Sequence, residues 1–138
     1  MNNFGIVLGE PNSINSEILA KSNAYKKNVI VIGNYNLLKE QLKILKIKRK
    51  IKKINNLNNF QKHRGVLHVL DVPLIFKNAF SVNPNESSSY IKRCLNIAHN
   101  LCSQNKIKGM INCSINKKSV FKNQKLGVTE FLARKNKV

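Results

Sequence analysis

The residues with the most chemical potential sit in two polar turns, 112–117 and 127–130, each beside an apolar segment. Gly109-Met110-Ile111 reads as a short strand that runs into Asn112-Cys113-Ser114-Ile115-Asn116-Lys117. After a basic loop comes Gly127-Val128-Thr129-Glu130, then an apolar helix start at Phe131 and Leu132. Turns at the ends of apolar elements are where an α/β protein carries its ligand groups, because a rigid scaffold holds them there in solvent. A lysine at such a strand end, Lys117, can neutralise a phosphate or carboxylate. In so lysine-rich a chain, a solvated amine is the plainer reading of any single lysine. The Thr129 hydroxyl both donates and accepts, and it also suits a helix N-cap.

A third turn, Gly9-Glu10-Pro11-Asn12-Ser13, closes the apolar run 4–8. A Gly-Pro turn between a strand and a helix can present backbone N–H groups to an anion. It is neither a Gly-x-Gly-x-x-Gly fingerprint nor a P-loop. Other chemistries find little support. His63, His68 and His99 show no ligand spacing and read as structural or solvated. Cys94, Cys102 and Cys113 are odd in number and lack Cys-x-x-Cys spacing, so reduced thiols are expected. Six acidic residues leave few candidates for paired-carboxylate work.

These turns need elements to hold them. Residues 4–8, 28–32, 65–72 and 109–113 read as short strands buried on both faces. Between them fall amphipathic helices. The first starts near 13–16 with Ile14, Ile18 and Leu19 inward. The second spans 37–47, capped by Asn36, with Leu38, Leu42 and Leu45 on one face. The longest is capped by 87–89 and carries Ile91, Cys94, Leu95, Ala98, Leu101 and Cys102 at three- and four-residue steps. The last begins at Thr129 and runs to the chain end. Ile47, Ile51 and Ile54 stand among lysines and fit a helix end or an edge strand equally; 76–86 reads as loop. The alternation predicts an α/β fold, a mostly parallel sheet with helices on both faces.

The chain has 138 residues, enough for one domain, and 42% of them are hydrophobic. Lys and Arg number 25 against 6 acidic residues, a net charge of +19. Such a charge favours polyanions non-specifically. The lysines are nevertheless spread along the chain among many Asn and Ile, residues that share A/T-rich codons. The one dense stretch, 39–53, contains no aromatic residue for base stacking. Nucleic acid is therefore expected only as a non-specific partner. No apolar run approaches a membrane span and no signal peptide is visible, so a cytoplasmic protein is expected.

The three turns together resemble the 4-hydroxythreonine-4-phosphate dehydrogenase family of pyridoxine phosphate synthesis. That family has Thr-Ala-Pro-Ile-Asn-Lys where this chain has Asn112 to Lys117, and Gly-His-Thr-Glu-Phe-Leu-Ala where this chain has Gly127 to Ala133. Its first turn, Gly-Asp-Pro-Ala-Gly-Ile-Gly-Pro-Glu, matches at Gly9, Pro11, Ile14 and Glu17. Val31-Ile32-Gly33 and Val69-Leu70-Asp71-Val72-Pro73 fall in matching order. The departures are Glu10 for Asp, Ser13, Asn15 and Ser16 for Gly, Gly and Pro, Asn112, Cys113 and Ser114 for Thr, Ala and Pro, and Val128 for the motif His.

The resemblance implies an isocitrate/isopropylmalate dehydrogenase-like fold, of which residues 1–138 would be an incomplete N-terminal portion. It implies NAD-dependent oxidation of 4-phosphooxy-L-threonine, with loss of carbon dioxide to give 3-amino-2-oxopropyl phosphate. NAD and a divalent metal would be the cofactors and a homodimer the assembly. The metal-binding histidines would lie beyond Val138, so no metal ligand is expected here. Thr129, the Val128 position and Lys117 would meet the substrate, with Gly9, Glu10 and Asn112 as possible turn contacts. A fragment of this extent is expected to be inactive alone. Two alternatives stay open: a non-catalytic remnant of the family, and a basic nucleic-acid-binding module.

Overall fold

A computed structural model describes residues 2–122 and 127–137. Residues 123–126 of the expected basic loop, and Val138 at the end of the last expected helix, lie outside the described residues. Five strands form one parallel sheet: β1 (Phe4–Val7), β2 (Val29–Gly33), β3 (Ile51–Ile54), β4 (Leu67–Asp71) and β5 (Gly109–Asn112). Their order is β3-β4-β2-β1-β5, and every described pairing is parallel. The helices are α1 (Asn15–Lys21), α2 (Tyr35–Ile44), α3 (Pro84–Ser103), α4 (Lys117–Phe121) and α5 (Val128–Lys135).

The two faces of the sheet follow from strand alternation. Val29 and Val31 point with Ile6, Leu8, Leu67 and Val69 toward Leu19 of α1 and Leu38 and Leu42 of α2. Ile30 and Ile32 point with Val7 and Leu70 toward Tyr90, Ile91, Cys94, Leu95 and Ala98 of α3. Both faces are therefore covered, which is why the strands read as continuous apolar runs. None of the described helices is long and apolar enough to cross a membrane.

Several local expectations change. The undecided stretch is β3, an edge strand paired with β4 in the register Ile51↔Leu67 to Ile54↔Leu70. Its middle lysines, Lys52 and Lys53, stay exposed. Helix α2 begins two residues earlier than expected. Its cap is Asn34, whose side chain accepts from the Leu37 N–H at 2.8 Å and donates to the Val72 carbonyl at 2.8 Å. Helix α3 likewise starts a turn early, because Asn83 accepts from the N–H groups of Asn85 and Glu86 and Pro84 fits the first helical position. Part of the expected basic loop is the short helix α4. In α1 the inward positions are Asn15, Ser16, Leu19 and Ala20, while Ile14 and Ile18 are exposed.

Tyr90 locks α3 to the α2 cap. Its hydroxyl, fully buried, accepts from the Asn34 N–H at 2.8 Å. Tyr90→Phe leaves that buried N–H without a partner, and an expected loss of about 1–3 kcal/mol follows. Urea unfolding with an unchanged slope measures it; an unaltered midpoint would show that the N–H finds another acceptor.

Candidate functional site

The site forms where the sheet changes direction. The chain leaves β1 toward β2 and returns to the other side of β1 as β5. The loops after β1 and β5 thus stand side by side at the carboxyl ends of the strands, the usual place for a ligand crevice in an open α/β sheet. Register extends beyond the strands: the Cys113 N–H donates to the Val7 carbonyl at 2.9 Å, and the Glu10 N–H donates to the Ser114 carbonyl at 3.0 Å.

One buried side chain joins these loops. Asn15 Nδ2 donates to the carbonyls of Leu8 (3.1 Å) and Ser114 (2.9 Å), and Asn15 Oδ1 accepts from Ser114 Oγ at 2.9 Å. Gly9 makes room for this contact. It sits at φ +79°, and a Cβ there would stand 2.6 Å from the Ser114 carbonyl oxygen and 2.9 Å from Asn15 Nδ2. Neither Ser13 nor Asn15 has positive φ. Replacing the family glycines at those two positions therefore costs no backbone strain.

The first turn is also anchored from outside. Asn12 exchanges two hydrogen bonds with the backbone of Val82, and Gln41 Nε2 donates to the carbonyls of Pro11 and Ala79. Its own N–H groups are used internally: Asn12 N–H reaches Glu10 Oε1 and Asn15 N–H reaches Ser13 Oγ. The N–H groups of Glu10, Asn12 and Asn15 are thereby taken up within the protein.

Beside it lies an open cleft of about 430 Å³ lined by Asn112, Ser114, Ile115, Lys117, Val128 and Thr129, with Gly127 and Glu130 completing its rim. Four of the residues singled out in the sequence, Asn112, Lys117, Val128 and Thr129, thus meet in one place. Gly9 and Glu10 do not line it; the Glu10 N–H bonds the Ser114 carbonyl, and Gly9 lies close against the same carbonyl. Val128 packs against the core formed with α3, and Phe121 meets Phe131 with ring centroids 5.5 Å apart. His99 of α3 bonds Asn136 Oδ1 at 2.8 Å, so α5 is held at both ends.

Thr129 is not the helix cap. Gly127 occupies that position, and Glu130 reaches back so that its Oε2 accepts from the Gly127 N–H at 2.8 Å. The N–H groups of Glu130 itself and of Gly127, with the Lys117 charge nearby, hold the Glu130 carboxyl below its usual range. The Thr129 hydroxyl is exposed and free of capping duty, and among the described residues Lys117 makes no ion pair. The cleft therefore offers a hydroxyl, an amide side chain and the Lys117 ammonium, with the Glu130 carboxylate on its rim near enough to feel that charge.

Glu130, Ser114 and Asn15 were not singled out as site residues from the sequence. The Gly-x-x-Glu spacing signals the first; nothing in the sequence pattern signals the Asn15–Ser114 pair. Burial raises the Cys113 thiol above its ordinary pKa and pushes Cys94 up to about 12, so neither is an activated nucleophile. Among the described residues no three His, Cys, Asp or Glu side chains converge.

The family model described as pyridoxal phosphate biosynthetic protein PdxA matches residues 25–138. A Fusobacterium nucleatum protein assigned as a D-threonate 4-phosphate dehydrogenase is 25% identical over 128 residues, covering 85% of this chain and 37% of its own length. The fold is that of the 4-hydroxythreonine-4-phosphate dehydrogenase of Burkholderia phymatum (TM-score 0.85, 20% identity, 100% of this chain and 44% of that one). It also matches the enzyme of the same name from Klebsiella pneumoniae (TM-score 0.84, 20% identity, 97% and 44%). The chain thus spans less than half the length of these relatives.

Proposed function

The chain belongs to the PdxA family, and on that premise we propose that it is the N-terminal portion of an NAD-dependent dehydrogenase that oxidises and decarboxylates 4-phosphooxy-L-threonine in pyridoxine 5′-phosphate synthesis. The observation that carries this reading is the convergence of Lys117, Thr129 and Asn112 on one cleft at the switch point of the sheet. In this reading the Lys117 ammonium pairs with the phosphate or carboxylate. The Thr129 hydroxyl donates to or accepts from a polar group of the substrate, and Asn112 closes the side beneath β5. NAD and a divalent metal belong to the same reading, as do a homodimeric assembly and a cytoplasmic setting. The metal and the cofactor would be bound by sequence corresponding to the rest of the family fold. The chain alone carries out no turnover.

A second reading, a non-catalytic remnant, draws on Val128. Where the family motif has a titratable donor, this chain has an apolar side chain packed on the core. Valine neither donates nor accepts, so a ligand group facing it loses a partner, at about 1–3 kcal/mol.

Two measurements separate these readings. Mixing the chain with NAD, a divalent metal and 4-phosphooxy-L-threonine is expected to give no NADH; measurable NADH refutes the dependence on the rest of the fold. Titrating the same substrate, with D-threonate 4-phosphate in parallel, is expected to shift backbone amide NMR signals of residues 112–117 and 127–130. Lys117→Met should weaken that binding roughly tenfold or more, since a charge-assisted bond is lost. Absence of shifts at these residues with either compound favours the remnant.

A further inference from the structure

At the opposite end of the sheet, where β2 and β4 begin, lies a second cleft of about 470 Å³. One side is Tyr25, Lys26 and Asn28, from the 3-10 turn Ala24–Lys26 and the residue leading into β2; the other is Lys62, Arg64 and Gly65, from the turn leading into β4. Chain segments far apart in sequence thus bring three cations to one concavity. A fourth stands behind them. The Arg49 guanidinium lies 3.7 Å from the centroid of the Tyr25 ring, with its Nε donating to the Ala20 carbonyl. Gly65 takes φ +76°, and nothing lies within 4 Å of where its Cβ would be, so the cleft stays open on that side.

These cations have no carboxylate partners. Among the described residues the ion pairs are Lys21–Glu17 and Lys53–Asp71. Five of the six acidic residues stand toward the other end of the sheet: Glu10 follows β1, Asp71 ends β4, and Glu17, Glu86 and Glu130 occupy the first turns of α1, α3 and α5, while Glu40 lies midway along α2 and does not line the cleft. Lys62 is tied to the Val66 carbonyl, and burial lowers its pKa. An ammonium held partly out of water without a counter-charge gains more from a bound anion than one in free solvent does.

The geometry points to a binding site here for a small phosphate anion of several charges, such as a polyphosphate group, held by Lys26, Lys62 and Arg64. The cleft volume falls within the range of small-ligand pockets. A nucleic-acid strand fits less well, because Arg49 already covers one face of the only aromatic ring in the cleft and that face offers no stacking surface. This site is separate from the family cleft and does not depend on the dehydrogenase reading.

The test is calorimetric titration of the intact chain with inorganic triphosphate. One saturable site is expected. Lys26→Gln with Arg64→Gln, both exposed positions outside the core, should weaken it about tenfold or more. Lys39→Gln with Lys77→Gln removes the same charge near the other end of the sheet and should change the affinity by less than about twofold. Equal weakening by both pairs would mean that only overall charge acts, and non-saturable binding would mean that there is no site; either overturns the proposal. A single-stranded RNA oligonucleotide supplies the last arm. If it binds and triphosphate cannot displace it, the ligand is a nucleic-acid strand and the proposal falls. Matching thermal unfolding curves for both variant pairs show that the fold is intact.

Discussion

Gly9→Ala is expected to lower stability by about 2–5 kcal/mol. Two terms contribute. An alanine at φ +79° sits in the left-handed region, which costs roughly 1–2 kcal/mol. Its Cβ would also stand 2.6 Å from the Ser114 carbonyl oxygen and 3.0 Å from that of Cys113. Backbone atoms of a paired strand end cannot give way as a flexible side chain can, so an overpacking cost of about 1–3 kcal/mol is added. Gly65→Ala separates the terms. Its φ is similar, +76°, but no atom lies within 4 Å, so only the conformational cost of roughly 1–2 kcal/mol remains. Urea denaturation of the two variants side by side measures the difference. Equal losses would show that the 112–117 turn yields to the extra methyl. In the Gly9 variant, displacement of Ser114 should also disturb amide signals around the family cleft.

Acid should destabilise the protein through His68. This ring, 1% exposed, stacks on His63 at 5.4 Å between centroids and meets the edge of Phe60 at 5.0 Å. Its Nε2 lies 3.1 Å from His63 Nδ1. Burial first, and then the charges of Lys62, His63 and Lys52, lower its pKa from 6.5 to about 4. The native state therefore refuses a proton that the unfolded chain accepts. The unfolded state binds more protons between these two values, so stability rises with pH across that window. It is complete above about pH 6.5, falls as the pH drops toward 4, and levels off below. The total is on the order of 3–4 kcal/mol at 1.36 kcal/mol per unit. Unfolding free energies measured across this range should slope accordingly, and His68→Leu should flatten the profile. An unchanged slope in that variant would assign the acid sensitivity to other groups.

The sheet was legible because buried parallel strands carry their signature in composition. Runs such as Val29 to Ile32 admit no polar residue when both faces are covered. Helix α3 was legible because its apolar residues recur at helical spacing over a long span. Periodicity failed where a polar side chain points inward to serve backbone groups. Asn15 is buried at the start of α1 because the carbonyls of Leu8 and Ser114 need donors; Ser16 is buried beside it, and Ile14 and Ile18 face solvent. Gln41 enters the core beneath α2 for the same reason, meeting the carbonyls of Pro11 and Ala79. Strand β3 stayed ambiguous because its two middle residues, Lys52 and Lys53, are adjacent lysines that break strand alternation, which an edge strand tolerates. His63 and His68 lack ligand spacing, yet the Gly65 turn folds one ring onto the other, and linear spacing does not show that contact. Lys117 opens α4 and Thr129 lies in the first turn of α5, and both line one cleft because the segments that carry them follow recognisable elements in the sequence.

The amide bridge from Asn15 to Ser114 also bears on how this sequence diverged. The related motifs have glycine at the first of these positions and proline at the second, a pair with neither a side-chain donor nor a side-chain acceptor. Here both positions carry polar side chains, and each supplies what the other needs. Asn15 Nδ2 bonds main-chain carbonyls that any residue at 114 keeps, whereas Asn15 Oδ1 depends on the Ser114 hydroxyl, so a serine at 114 supplies the donor that the buried amide oxygen needs. Across descendants of this lineage, positions 15 and 114 should be inherited together.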